Sequence, residues 1–391
     1  MVCNSNISYP PRHQQVVQAL SSQIDPKGCV LVVGDVAIDE MTYGVTERMS
    51  REAPVLILRH DRTDVLLGAA GNAAHNVAAL NAKQVVVVGT LGQDDYAPKL
   101  REALQKARVN DHGLVEDSDR PTTTKTRISG IANHSVTQQM VRIDRQSTQP
   151  ISGAVEQQVL GQLAQWIPQV DAVLLSDYGL GVVTPAVIEQ CRTLTQQHHV
   201  PFCVDSHQDL TLFQGATVLT PNQTEAEAQL GYGLSDRQAR LKGGQELLAS
   251  TQATHILLTL GGDGMMLFSR GDAMANLTSA SEPDSETEMN ENSVVVTTIP
   301  AFNRSDVFDV TGAGDTVVGT FTLALANGVE PGLAAVLGNL AASVVVRRYG
   351  TAVTNVPELM EWLDGMDDSH FSHIQREVVE VSSVPLSASI L

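Results

Sequence analysis

The chain has 391 residues, 42% of them hydrophobic and 18% charged, which is enough apolar material for one large α/β domain or two ordinary ones. Its formal net charge of −19 at pH 7 repels phosphate backbones, so nucleic acid is not an expected partner. No apolar stretch approaches the roughly 18 residues of a membrane helix, and no signal-peptide pattern opens the chain, so we expect a cytoplasmic protein without a membrane partner.

Short apolar runs recur along the chain and predict buried strands. Most are continuous rather than alternating, as in a parallel sheet that is covered on both faces. They lie at 30–35, 85–89, 172–177, 202–205, 216–220 and 255–259. Helical patterns separate them, at 71–82, 96–108, 154–168, 184–198, 223–230 and 236–250. This alternation predicts an α/β fold with a doubly wound, mostly parallel sheet.

Three stretches interrupt the alternation, at 54–60, 122–129 and 137–144. Each shows the polar alternation of a strand but has no helix of its own. Together they predict a small second sheet, either a lid over a ligand site or a dimer surface, and periodicity does not choose between the two. The acidic stretch 279–293 predicts a surface loop, and the segment after Asp367 predicts a peripheral tail.

The strongest chemical signal is the segment from Asp309 to Asp315, which precedes a smooth apolar helix. Gly312, Ala313 and Gly314 then lie at the helix N-terminus, where free amides and the helix dipole attract anions. Small side chains let a phosphate approach the backbone, and Asp315 is placed to take a proton from an attacking hydroxyl. The alternative is a glycine-rich turn whose aspartate only complements the helix dipole.

The segment resembles the D-T-x-G-A-G-D signature of the ribokinase-like (PfkB) carbohydrate kinases, with Val310 in the Thr position. A second stretch, 68–78, resembles that family's G-G-x-x-x-N-x-A signature, in which Asn72 corresponds to an asparagine that contacts the sugar; Ala69 stands where a second glycine is usual. A third, 220–225, resembles its N-x-x-E motif. This likeness implies that Asn222 and Glu225 organise Mg²⁺ and phosphate through water.

The resemblance covers residues 28–365 and implies a ribokinase-like kinase domain with a β-sheet lid, flanked by an N-terminal extension at 1–27 and a tail at 366–391. It also implies ATP as cofactor and phosphate donor. Because the chain lacks the P-loop and dinucleotide-binding motifs, we expect the turn from Thr311 to Asp315 to hold the phosphate. On the nucleotide side the residues with counterparts in the family are Thr259, Gly261, Gly264, Asn339 and Gly350, of which Asn339 and Gly350 are expected to shape the adenine pocket.

Within the family the chain is most similar to D-glycero-β-D-manno-heptose 7-phosphate kinases, through motifs at 34–39, 50–55, 121–127, 139–144 and 175–178. The likeness implies that aspartates hydrogen-bond sugar hydroxyls, namely Asp35, Asp39 and Asp177. It further implies that cations on the lid strands hold the sugar's phosphate, namely Lys125, Arg127 and Arg142. For each of these residues, an ordinary strand-end cap or a solvated strand residue is the alternative.

Two departures leave the particular sugar open. Leu180 stands where the heptose kinases have lysine, and His207 replaces the lysine of an Asp-Pro-Lys step. Kinases for ribose, fructose or fructose 1-phosphate, and a catalytically idle sugar-binding relative, therefore remain alternatives. The chain contains no His-x-Gly-His motif, so we expect no adenylyl-transfer activity, and the lid strands make a homodimer a reasonable expectation.

Overall fold

The computed structural model describes residues 5–7, 11–21, 28–131, 137–271, 293–303 and 307–380. All of the predicted acidic loop 279–293 except Ser293 lies outside these residues. In chain order the strands are β1 (Ser5–Ile7), β2 (Cys29–Gly34), β3 (Val36–Met49), β4 (Leu56–Ala69), β5 (Gln84–Leu91), β6 (Asn110–Glu116), β7 (Thr124–Ile131), β8 (Gln138–Arg145), β9 (Ala172–Asp177), β10 (Phe202–Ser206), β11 (Val218–Leu219), β12 (His255–Thr259), β13 (Met265–Arg270), β14 (Ser293–Ile299) and β15 (Gln375–Glu380).

The helices alternate with the strands through most of the chain. Within the described residues they are α1 (His13–Ser21), α2 (Ala70–Ala79), α3 (Tyr96–Lys106), α4 (Gly153–Trp166), α5 (Pro185–His198), α6 (Gln223–Leu230), α7 (Arg237–Thr251), α8 (Ala313–Ala326), α9 (Pro331–Val345), α10 (Val356–Asp364) and α11 (Asp368–Phe371). All six helices expected from the sequence are present, with ends that differ by no more than a few residues.

Eleven strands of the described chain form one sheet in the order β1-β15-β14-β13-β12-β11-β10-β9-β2-β5-β6. The part from β6 to β12 is parallel, and the part from β12 to β1 is antiparallel. Helices α2, α8 and α9 pack on one face, and α4, α5 and α7 pack on the other. The valine runs of β2 and β5 are continuous because both faces of these strands are buried. The predicted doubly wound α/β fold is confirmed.

The second sheet has four strands among the described residues, in the order β4-β3-β7-β8. It contains the three predicted lid strands. Strand β3, which is as long as β4, was not predicted. That strand follows β2 after Asp35 alone, and its mixture of threonines and acidic residues hides the strand pattern. Edge strand β8 is exposed along its whole length.

The expectation of a peripheral C-terminal tail is wrong for residues 368–380. Strand β15 lies between β14 and β1, and the Phe371 side chain is fully buried. The sequence hides this strand because it carries charged residues whose partners are distant in the chain. Arg376, for example, pairs with Glu330. Helix α1 likewise buries Val16 and Leu20 in the core. The domain limits at 28 and 365 remain a prediction.

The four-stranded sheet is called the lid below, and the eleven-stranded sheet with its helices is called the main body. One connection between them is at Ala69, where β4 passes directly into α2. Ala69 has φ 52° and ψ −136°, a conformation that glycine adopts freely but that brings the Cβ of other residues against the backbone. The residue is also buried, so its surroundings hold it in place. The Ala69 backbone is therefore strained at the point where the lid meets the main body.

Replacing Ala69 with glycine should relieve this strain. We expect Ala69→Gly to raise the free energy of unfolding by about 1 kcal/mol, because the relief of 1–3 kcal/mol exceeds the added chain entropy and the lost methyl contacts. Urea unfolding measures the change. Ala78→Gly, in ordinary helical conformation in α2, is the control and should lose about 1 kcal/mol. Equal destabilisation by both substitutions would contradict the strain at Ala69.

Candidate active site

The site is built around the N-terminus of α8. Gly312 precedes this helix with φ 78°, and a Cβ placed there would lie 2.8 Å from Asn72 Nδ2. Only glycine suits this position, because the backbone conformation and the neighbouring side chain both exclude a larger residue. Gly314 has no such neighbour, so its value lies in leaving the first turn open to a ligand.

Asp315 lies in the first turn of α8 and is almost completely buried. Its Oδ2 accepts a hydrogen bond from Asn72 Nδ2 at 2.7 Å, and its Oδ1 accepts one from the Tyr178 hydroxyl at 2.9 Å. Burial raises the pKa of Asp315 to about 6, although these two hydrogen bonds oppose the rise. A carboxylate with a pKa close to neutral is well suited to take and release a proton.

A polar ladder joins α2 to α8 beneath this carboxylate. The Thr316 hydroxyl donates to Asn76 Oδ1 at 2.8 Å, and Asn76 Nδ2 donates to the Asn72 carbonyl at 2.9 Å. Sequence reasoning did not single out Asn76 or Tyr178, although each lies inside a stretch that resembles a family motif. Their role shows only in contacts between segments more than 100 residues apart.

Two predicted sugar ligands instead hold the loop that follows β9. The Asp35 carboxylate accepts backbone N–H groups of Tyr178, Leu180 and Val182 at 2.9–3.2 Å. Burial raises the pKa of Asp35 despite these bonds. Asp177 accepts the Gly179 amide, the Ser206 hydroxyl and the Gln208 side-chain amide at 2.7–2.9 Å. Both carboxylates therefore help to place Tyr178, and their contact with a sugar remains a prediction.

The predicted metal-organising residues form the start of α6. Asn222 Oδ1 accepts the Glu225 amide, and Glu225 Oε2 accepts the Asn222 amide, which together make a capping box. The other oxygen of Glu225 contacts His207 Nδ1 at 2.5 Å. This hydrogen bond raises the pKa of His207. Nearby Asp205 has its pKa raised to about 7, by desolvation first and by the charge of Asp315 second.

One cavity, of about 290 Å³, lies between the lid and the turn before α8. It is lined by Asp39, Met41, Leu66, Arg127, Gln139, Phe308, Asp309, Thr311, Tyr349, Gly350 and Thr351. Asp39 and Arg127 form a buried ion pair on its lid side. Lys125 does not line this cavity. Its Nζ lies 5.2 Å from the centroid of the Tyr178 ring, and its charge acts on the Asp315 carboxylate. Arg142 is exposed and pairs with Asp144.

A second cavity, of about 370 Å³, lies on the other side of the same turn. Its lining is mostly apolar and consists of Thr259, Gly261, Gly262, Gly264, Met265, Ala301, Asn303, Val307, Val310, Ala313, Gly314, Val317, Asn339, Ala342, Ser343 and Val346. Four predicted nucleotide-side residues therefore lie here. The fifth, Gly350, does not: its amide donates to Asp309 Oδ2 at 2.9 Å, which keeps Gly350 in the cavity beside the lid.

The turn 309–314 separates the two cavities, with Asp309 and Thr311 facing one and Ala313 and Gly314 facing the other. Asp315 follows at the start of the helix. An anion-attracting helix N-terminus between two cavities, with a buried carboxylate beside it, is the arrangement needed to pass a phosphoryl group from one ligand to another. The fold and the site thus define an α/β phosphotransferase.

Comparison with known proteins agrees with this class. Residues 30–359 match the pfkB family carbohydrate kinase. The chain belongs to this family and is therefore a carbohydrate kinase. Among the described residues, none of the helices has both the length and the apolar composition needed to cross a membrane.

Two curated relatives show the likeness in sequence. The chain is 37% identical over 331 residues to the bifunctional protein HldE of Geobacter metallireducens, an alignment that covers 84% of this chain and 62% of the relative. It is 38% identical over 336 residues to that of Granulibacter bethesdensis, with 86% and 64% covered. The chain therefore spans less than two thirds of the length of either relative.

Solved structures show the likeness in fold. The ribokinase of Arabidopsis thaliana, complexed with ribose and ATP, superposes with a TM-score of 0.62 at 17% identity, covering 86% of this chain and 98% of that one. Phosphofructokinase-2 of Escherichia coli, in complex with substrates and products, gives 0.65 at 17% identity, with 86% and 99% covered. These structures support the ribokinase-like architecture.

Asp315→Asn should abolish most activity and stabilise the protein above neutral pH. Loss of the base should lower kcat by about 100-fold to 10,000-fold. With a folded pKa of about 6 against 3.8, wild type loses stability as pH rises between these values, by roughly 3 kcal/mol in total. The variant avoids this loss, so its melting temperature should exceed that of wild type at pH 8 and approach it near pH 4.

Asp309→Asn is the matched control. Burial opposes ionisation there, but hydrogen bonds from Thr311 and Gly350 lower the pKa of Asp309 overall. Its charge therefore stabilises the fold above the unfolded pKa, and the asparagine variant should melt lower than wild type at pH 8. If both variants shifted the melting temperature in the same direction, the assignment of Asp315 as a destabilised, buried carboxylate would be wrong.

Proposed function

We propose that the chain transfers the γ-phosphoryl of ATP to the anomeric hydroxyl of D-glycero-β-D-manno-heptose 7-phosphate, forming the 1,7-bisphosphate in ADP-heptose biosynthesis. The observation that carries this proposal is the position of Lys125 and Arg127 on lid strand β7. One lies beside the ring of Tyr178, and the other lines the cavity beside the lid. In a protein of net charge −19, two half-buried cations on one strand of the lid favour an anionic sugar.

The roles of the site residues follow from their positions. Asp315 accepts the proton of the sugar hydroxyl as its oxygen attacks the transferred phosphoryl group. The amides of Gly312 and Gly314 stabilise negative charge at the N-terminus of α8, whereas the Ala313 amide already donates to the Val310 carbonyl at 3.1 Å. Asn72 holds the Asp315 carboxylate from the α2 side. The 370 Å³ cavity that contains Thr259, Gly261, Gly264 and Asn339 accommodates the nucleotide.

Residues at the carboxyl ends of β10 and β11 fit a hydrated Mg²⁺ ion. When bound, the ion supplies positive charge to phosphate oxygens. After desolvation, the negative charges of Asp315 and Glu225 contribute to the raised pKa of Asp205, while the charge of His207 opposes the rise. No group of three His, Cys, Asp or Glu residues in the described chain could ligate a metal directly. Asn222 and Glu225 would therefore hold the ion through water.

The facing pair Arg127 and Arg142 gives further support for a phosphorylated substrate. The two residues are direct partners in the β7–β8 ladder. Like charges in this arrangement repel, and the charge of Arg142 contributes to lowering the pKa of Arg127, after burial. A phosphate bound between the two side chains would turn this repulsion into attraction for both guanidinium groups.

Kinases for ribose, fructose or fructose 1-phosphate remain the alternatives. The Leu180 side chain is buried, and its backbone is bound by Asp35 and Arg120, so this position offers no side-chain cation to a ligand. His207 is engaged with Glu225. A sugar with less negative charge would suit a site that lacks these two cations.

ATP consumption with a panel of sugars tests the proposal. We expect heptose 7-phosphate to give the highest kcat/KM, above ribose, fructose and fructose 1-phosphate. Lys125→Met and Arg142→Gln should each raise the KM for heptose 7-phosphate about tenfold or more, because each variant loses a hydrogen bond to the sugar's phosphate. The KM for ATP should change little.

Arg62→Gln is the control for these variants, because Arg62 lies on the exposed part of β4 and pairs with Asp64. Its KM values should match those of wild type. Faster turnover of another sugar would show that heptose 7-phosphate is not the preferred substrate. Turnover of no sugar would refute the proposed reaction. An unchanged heptose 7-phosphate KM in Lys125→Met and Arg142→Gln would refute the role of the lid cations.

We also propose a cytoplasmic homodimer formed through the lids. Edge strand β8 presents three exposed apolar side chains, those of Met140, Val141 and Ile143. An exposed apolar edge strand favours pairing with another strand. Light scattering should give twice the mass of one chain for wild type and one chain for Val141→Lys. Leu212→Lys, at an equally exposed site on another face, should remain dimeric. A monomeric wild type would refute the dimer.

A further inference from the structure

Tyr178 is the first residue after β9, and it reaches the proposed base directly. Its hydroxyl donates to Asp315 Oδ1 at 2.9 Å. Desolvation first and the charge of Asp315 second raise the pKa of Tyr178 well above its usual value. The phenol therefore keeps its proton at any pH at which the enzyme would work, and it can act on Asp315 only as a hydrogen-bond donor.

The Tyr178 side chain is fixed from several directions. Its ring meets that of His207 edge-on, with centroids 4.9 Å apart and planes at 89°. Lys125 Nζ lies 5.2 Å from the ring centroid, within the range of a cation–π contact. Its backbone amide donates to the buried Asp35 carboxylate at 2.9 Å. The hydroxyl is thus held in place by groups from β7, from the residue after β10 and from the β2–β3 junction.

The Asp315 carboxylate has one side-chain donor on each oxygen. Asn72 binds Oδ2, and Tyr178 binds Oδ1. The terminal torsion of an aspartate has a broad energy minimum, so a single donor would leave the carboxylate free to rotate. Two donors on opposite oxygens fix its plane. The remaining lone pairs, which must accept the proton of the sugar hydroxyl, then point in a constant direction.

We propose that Tyr178 is a positioning residue for phosphoryl transfer: its hydroxyl orients the Asp315 carboxylate towards the sugar hydroxyl without itself giving up a proton. This role rests on the proposed function of Asp315 as the base. In the reaction the proton passes from the sugar hydroxyl to Asp315, the sugar oxygen bonds to the γ-phosphorus, and ADP leaves. Tyr178 remains a donor to Asp315 throughout.

Tyr178→Phe removes the hydroxyl and preserves the ring that His207 and Lys125 contact. Tyr232→Phe is a closely matched control outside the site. Tyr232 donates to Glu246 Oε2 at 2.9 Å, and Lys242 Nζ lies 4.8 Å from its ring centroid. Both variants are assayed as the full chain, with the sugar that wild type turns over fastest, from pH 5 to pH 9. The other titratable groups acting on Asp315, which include Lys125, His207 and Asp205, are unchanged in both.

For Tyr178→Phe we expect kcat to fall about tenfold or more while the sugar KM changes less than threefold, because the substrate still binds but the base is misaligned. Loss of the Tyr178 hydroxyl also raises the pKa of Asp315. In the pH profile of kcat/KM, the acidic limb should therefore move to a pH higher by about 0.5 to 1. Tyr232→Phe should show neither change. Unchanged kcat or an unmoved acidic limb in Tyr178→Phe would overturn the positioning role.

If wild type turns over no sugar, the proposed function is refuted. Wild-type kinetics in Tyr178→Phe would refute the positioning role alone. Thermal unfolding of each variant verifies that the protein folds. If Tyr178→Phe does not fold, Tyr178→Trp and Tyr178→Met keep an apolar side chain at this position and should show the same upward movement of the acidic limb. A limb at the wild-type pH in a folded variant that lacks the hydroxyl would refute the role.

Discussion

The buried carboxylate of Asp315 is the constraint on which the rest of the site depends. An ionised group at this depth is unfavourable unless donors surround it, and here Asn72 and Tyr178 supply one hydrogen bond to each oxygen. Burial nevertheless raises its pKa to about 6. The protein thus keeps a carboxylate of nearly neutral pKa, which we propose as the base, at the expense of stability above that pH, a balance that is common in active sites.

Much of the surrounding structure serves to place those two donors. Asn72 comes from α2, which begins directly after the strained Ala69, and a glycine at 312 leaves room for its side chain. Tyr178 comes from the loop after β9, which Asp35 holds from inside and Arg120 holds through the Leu180 carbonyl. The buried acids at the strand ends therefore support this loop, whether or not they also contact a sugar.

The sequence predicted the parts of the site that depend on local chain geometry. The glycine turn before an apolar helix located Asp315 and the open first turn of α8, and the spacing of Asn222 and Glu225 agrees with the capping box. Long strand β3 and the strand β15 were missed because their polar residues find partners far away in the chain. Gly350 was expected in the adenine pocket, but its hydrogen bond to Asp309 places it beside the lid.

The sequence alone determined the fold class, because continuous apolar runs that alternate with helices indicate a parallel sheet buried on both faces. It also determined the anion-attracting turn, because the effects of glycines and of a helix N-terminus are local. Only the tertiary structure decided what each polar side chain does. Asn72 and Asp315 are 243 residues apart, and Tyr178 and Asp315 are 137 apart. Which of several acids becomes a base and which becomes a support depends on contacts and burial that no local pattern contains.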